Sequence, residues 1–164
     1  MLSASLDAGK LSASMGSMPA QVVAAIETKM QMITINLQRI VITEKLHGQV
    51  LKQQSGKLAR SIQQESHTEG EMVIGTVFSA GDVKYAAIHE YGGKTPPHDI
   101  IPNKAGALAF MMGGRQVFAA IVHHPGSVMP ERSFLRSSLA EQASEITTGL
   151  KEAALRGAQR ALQQ

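Results

Sequence analysis

Between Ala20 and His47 the chain has neither proline nor glycine, and its large apolar residues recur at helical spacing. Val23, Ile26, Met30, Ile33, Leu37 and Ile40 advance by alternating steps of three and four, which places them on one face of an α-helix. Ser17 and Pro19 supply helix-start chemistry, and Gly48 supplies the stop. Met32, Ile35 and Ile42 fall off the line, so the apolar surface is wider than one stripe. Two uses of that width stay open: a single broad core face, or one face for its own domain and a second for a neighbour.

The period changes after this helix. Ser55 to Ile62 reads as a capped helical turn running into a strand, and residues 62–67 and 71–79 as a β-hairpin about Thr68-Glu69-Gly70. In the second strand Met72, Ile74, Thr76 and Phe78 point one way, and Val73, Gly75 and Val77 the other. Val83 to Tyr91 is expected as a short helix closed by Gly92-Gly93, where positive φ is cheap. Beyond a stiff Pro96-Pro97 loop, Ala107 to Met112 and Arg115 to His123 read as a second hairpin. Gly113-Gly114 between them suits a tight primed turn. Pro125 to Pro130 then leads into a closing helix from Glu131, amphipathic through Leu135, Leu139, Ala143, Ile146, Leu150 and Ala154. Gly149 and Gly157 weaken that helix by roughly 1 kcal/mol each relative to alanine.

The expected class is therefore α+β: an antiparallel sheet of about four strands in two hairpins, packed by a long N-terminal helix, a short middle helix and a C-terminal helix. Residues 1–18, rich in Ser, Ala, Gly and Met, are expected as a flexible N-terminal arm before a single domain over 19–164.

Composition narrows the function. With no cysteine there is no disulfide framework, thiolate metal site or cysteine nucleophile. The net charge of +3 is spread without any block of Lys or Arg, which disfavours direct DNA recognition. The N-terminus lacks the regions of a secretory signal, and no apolar run approaches the roughly 18 residues of a spanning helix. The expectation is a soluble protein made in a reducing compartment.

Catalytic motifs are incomplete. His89-Glu90 begins like H-E-x-x-H, but Gly93 stands where the second histidine would be. No G-x-S-x-G and no glycine-rich phosphate loop occurs. A metal would have to draw on His89, His98, His123 and His124, of which the last two are neighbours on an alternating strand. Glu90 and Asp99 offer a carboxylate pair without further support. The reading is a non-enzyme with no cofactor and no metal; the alternative is a metal-dependent hydrolase using His89, Glu90, His98 and His124.

Docking features are denser. Tyr85 and Tyr91, six apart on the middle helix, read as rigid, amphipathic anchors facing the same groove, although both could instead cover the sheet. Arg132 and Arg136 bracket Phe134 at the start of the last helix, where their charge opposes the helix dipole and calls for a carboxylate from a neighbour. The candidate docking set is Tyr85, His89, Glu90, Tyr91, Gly92, Gly93, Pro96, Pro97, Pro125, Pro130, Arg132, Phe134 and Arg136.

Several of these segments, taken in order, resemble one family. S-G-K-L-A-R-S-I at 55–62, V-I-G-T-V at 73–77, Y-A-A-I-H-E-Y-G-G at 85–93, I-P-N-K-A-G-A-L-A-F at 101–110, H-P-G at 124–126 and P-E-R-S-F-L at 130–135 are similar to motifs of tail-completion, or virion-morphogenesis, proteins of long-tailed bacteriophages. The resemblance covers about residues 50–140; Ser133 stands where the family often has proline, and Ala59 where it often has a polar residue. It implies a structural neck protein of the virion that forms a ring of six subunits at the head–tail junction. Its partners would be further copies of itself, the tail tube or tail terminator, and the connector or stopper proteins of the head. DNA would pass through the channel without being gripped, and no membrane would be involved. A tail terminator or head–tail adaptor is the alternative of the same class.

Overall fold

The computed structural model describes residues 3–7, 10–14, 19–52, 54–70, 72–103 and 106–163. The uninterrupted stretch forms α1, Ala20–Ile40, and winds on as a π-helix over Val41–Gln49. The backbone leaves helical geometry at His47 and Gly48, the latter at φ +126°. Pro19 starts the helix by accepting hydrogen bonds at its carbonyl from the N–H groups of Val22 and Val23; Ser17 lies outside the described residues. The buried face carries Val22, Ile26, Met30, Ile33, Thr34, Leu37 and Ile40, close to the expected line, with Val22 taking the innermost place beside Val23. Met32 and Ile35 remain exposed.

A short helix, α2 (Lys57–Ser61), runs directly into the strand β3 (Ile62–Glu69), which turns at Gly70 into β4 (Met72–Ser79). This is the expected hairpin, with β3 two residues longer. Its other neighbour was not expected. Residues 1–18, read as a flexible arm, contribute β1 (Ser3–Asp7) and β2 (Lys10–Ser14), and the four-stranded antiparallel sheet has the order β1-β2-β4-β3. The free edge of β4 accounts for this: its unpaired backbone groups need a partner strand, and backbone pairing makes little demand on side-chain pattern. The second predicted hairpin is formed, but it stands outside this sheet.

Val73, Gly75 and Val77 of β4 face α1, as the alternation predicts, and Ile74 on the opposite face is buried as well. Contact at Gly75 is so close that a Cβ there would lie 2.6 Å from Thr34 Cγ2. Thr34 donates to Gln64 Oε1, and Gln38 donates to the carbonyl of Ile62, fixing α1 on the sheet.

The middle helix α3 spans Tyr85–Tyr91, and the last helix α4 spans Leu135–Ala161. The start of α4 falls four residues later than expected, since residues 131–134 are irregular. Gly157 lets α4 approach α1, because a Cβ there would sit 2.6 Å from Val22 Cα. Lys45, almost wholly buried, reaches across to Glu141 of α4 with contacts of 2.7 and 2.8 Å. Phe134, at 0% exposure, completes the core beside Leu139, Ile146 and Leu150. No described helix is long and apolar enough to cross a membrane.

Candidate functional site

Residues 93–103 and 106–129 leave the body as a two-stranded ribbon. The outgoing limb contains β5 (Gly93–Lys94), β6 (His98–Ile100) and β7 (Leu108–Met112). The return limb contains β8 (Arg115–Ala119), β9 (Val122–His124) and β10 (Val128–Met129). The pairs β7–β8, β6–β9 and β5–β10 follow one another from tip to base, all antiparallel. Gly113 and Gly114, with φ of +60° and +78°, make the primed turn at the tip. The expected long strand 115–123 is interrupted at Ala120 and Ile121, so β9 pairs separately.

Prolines set the bend near the base. Pro96, Pro97 and Pro125 break the ladder between β5–β10 and β6–β9. Thr95 N–H donates to the carbonyl of Ser127, and Ser127 N–H donates to Thr95 Oγ1. Gly126 fits here only without a side chain, since it packs against the Thr95 carbonyl at φ +85°. Below it, Gly92 at φ +68° lies against the backbone of Met129 and Glu131. Pro130 follows β10 directly and leads the return limb towards α4.

The arm is apolar on its outside. Ile100, Ile101, Phe110, Met111, Met112, Phe118, Ile121 and Val128 are all exposed, Met111 at 68%, Phe118 at 66% and Val128 at 72%. They are eight of the fifteen large apolar side chains exposed among the described residues, so the apolar surface is concentrated here. None of the arm belongs to the hydrophobic core. A two-stranded ribbon with no layer behind it is marginal in water, and a surface of this kind marks a contact site.

The base of the arm is tied to the body by Glu90. Its buried carboxylate accepts hydrogen bonds from the N–H groups of Phe134, Leu135 and Arg136 at 2.8, 3.0 and 2.9 Å. Ser133 Oγ donates to it as well, at 2.7 Å. The four orphan N–H groups of a helix start are thus largely met by one side chain from α3. Burial alone would lift the Glu90 carboxyl; the bonds from Leu135, Arg136, Ser133 and Phe134 outweigh it and hold the pKa below the ordinary glutamate value. Arg136 donates to Glu90 Oε1, to the Glu90 carbonyl and to Glu131, and its guanidinium lies 4.6 Å over the Tyr91 ring. The carboxylate that the arginines called for comes from within the chain.

The structure therefore divides the predicted docking residues. Glu90 and Phe134 face inward, and Arg136 is engaged by Glu90, Glu131 and Tyr91. Tyr85 and Tyr91 do not share a groove, because six residues on a helix turn them about 120° apart. Tyr85 instead meets His89 edge to face, with ring centroids 6.0 Å apart. The glycines and prolines shape the base of the arm. Sequence reasoning missed the exposed apolar run itself, whose signal was the cluster Phe110-Met111-Met112 beside a glycine turn, with Phe118 on the partner strand opposite Ala109.

The histidines separate. His98 and His124, directly opposite in β6–β9, stack at 5.0 Å, and His124 Nδ1 accepts from Gly126 N–H. His123 turns to the other face and bonds Asp99. His89 and Glu90 join neither pair, and among the described residues no three His, Cys, Asp or Glu side chains come together as metal ligands would. The combination of His89, Glu90, His98 and His124 is thus not assembled. Comparison with family models, with curated proteins and with solved structures found no match to this chain.

Proposed function

We propose that this chain is a structural assembly protein of a phage virion, a ring-forming neck component at the head–tail junction. The observation that carries the reading is the arm, a two-stranded ribbon paired on itself whose large apolar side chains stay exposed among the described residues. Its occupant is a second copy of the chain. A closed ring needs a heterologous contact, one surface of each subunit against a different surface of the next. The arm supplies the first surface, and the face of α1 bearing exposed Met32 and Ile35 offers the second. The family-like segments also fall on coherent elements: 55–62 on α2 into β3, 85–93 on α3 with its glycine turn, 101–126 on the arm, and 130–135 on the approach to α4.

Net charge of +3 without a basic block suits a channel through which DNA slides. A tail terminator or head–tail adaptor would use the same arm against a different neighbour. The test is a cryo-EM reconstruction of particles from cells expressing this chain with its neighbouring gene products. A symmetric ring of this chain at the joint, with the arm seated on the adjacent subunit, is expected. Complete joints that lack the chain would overturn the proposal.

A further inference from the structure

On the opposite side of α3 from the Glu90 tie lies a cavity of about 470 Å³. Its floor is apolar, made by Leu46, Leu51 and Ala59, all buried. Its rim is cationic: Lys52, Lys57 and Arg132 line it, and no carboxylate does among the described residues. None of these three has an ion-pair partner among the described residues, although Glu131 stands next to Arg132 in sequence and is taken by Arg136. His89 lines the same space, while its Nδ1, without a hydrogen-bond partner among the described residues, lies beneath the cavity surface.

Each of these features is unfavourable alone. A buried, unsatisfied ring nitrogen costs about 1–3 kcal/mol, and three like charges around one opening repel. An anion in the cavity relieves the second by accepting from the guanidinium and the ammonium groups. We propose that this cavity is a binding site for an acidic peptide segment, with a carboxylate held by Lys57 and Arg132 and an apolar neighbour on the leucine floor. Burial, and then the Arg132 charge, lowers the His89 pKa, so at neutral pH the ring does not add a fourth positive charge to the rim. The apolar floor favours a peptide over a nucleic-acid backbone, whose successive phosphates have no apolar stem to bury. The site is separate from the arm and stands independently of the ring reading.

The test is an NMR titration of the isotope-labelled full chain with the peptides Ac-Leu-Glu-Leu-NH2 and Ac-Leu-Gln-Leu-NH2, and with inorganic phosphate, at constant ionic strength. The glutamate peptide should shift the amides of Ser55, Lys57 and His89 saturably. It should bind about tenfold more tightly than the glutamine peptide, the ratio expected for one charge-assisted hydrogen-bond set. The double variant Lys57→Ala with Arg132→Ala should lose that preference while its melting temperature stays unchanged, as neither side chain supports the fold. Equal affinity for the two peptides, no saturable shift, or tighter binding of phosphate would overturn the proposal.

Discussion

The start of α4 and the tip of the arm are built on opposite terms. At the first, a buried carboxylate, three backbone N–H groups, a serine hydroxyl and a guanidinium satisfy one another over a buried phenylalanine. At the second, Phe110, Met111, Met112 and Phe118 stand in solvent on a ribbon held only by its own ladder. The first region spends its interactions on folding the chain, and the second leaves its large apolar side chains exposed. The contrast teaches that sequence conspicuousness does not tell these roles apart: the charged, aromatic P-E-R-S-F-L segment is internal cement, while the plainer A-F-M-M-G-G segment is the free surface.

The contrast can be broken or sharpened by substitution. Phe134→Ala should have the largest effect on folding, about 3–5 kcal/mol, because it empties a fully buried aromatic site. A urea titration measures it, and a loss under about 1 kcal/mol would mean that the junction is not part of the cooperative core. Glu90→Gln follows, with roughly 2–3 kcal/mol lost through the missing charge and the unsatisfied N–H groups. It should also change the acid limb. The Glu90 pKa is depressed in the fold, so its stabilisation is complete above the ordinary glutamate range and is withdrawn as pH falls through and below it. The variant should therefore lose less stability than the parent between neutral and acid pH, as read by thermal melts across that range. Phe118→Ser, on the arm, should move the melt by less than about 0.5 kcal/mol. Its effect should be seen in assembly, as reduced incorporation into particles; unchanged incorporation would remove the arm from the contact.

Much of the body was legible in the sequence because its determinants are local. The three–four spacing gave the face of α1, the alternation gave β4, and the paired glycines gave the tip of the arm. What escaped was set at long range. Ser3–Asp7 and Lys10–Ser14 carry no strong period, and their pairing is decided by the open edge of β4. Glu90 looked like half of a zinc motif, since its partners are backbone groups more than forty residues away. The need for a carboxylate beside Arg136 was visible, but its source was not. Likewise Gly157, read as a weak point of α4, is a place where the α1 backbone comes too close for a side chain, whereas Gly149 faces only the movable end of Lys29.

The border of the sheet opposite the N-terminal hairpin has a consequence for how copies meet. β3 is an edge strand, and after Ile62 it reads Q-Q-E-S-H-T-E, with its outer residues polar and mostly solvent-facing. Such an edge is a poor template for indiscriminate strand addition, because each incoming chain would have to strip water from amides and carboxylates in succession. The opposite edge of the β3–β4 hairpin is already occupied by β2. Growth through the sheet is thus discouraged at β3, and the large apolar side chains left uncovered among the described residues lie mostly on the arm instead.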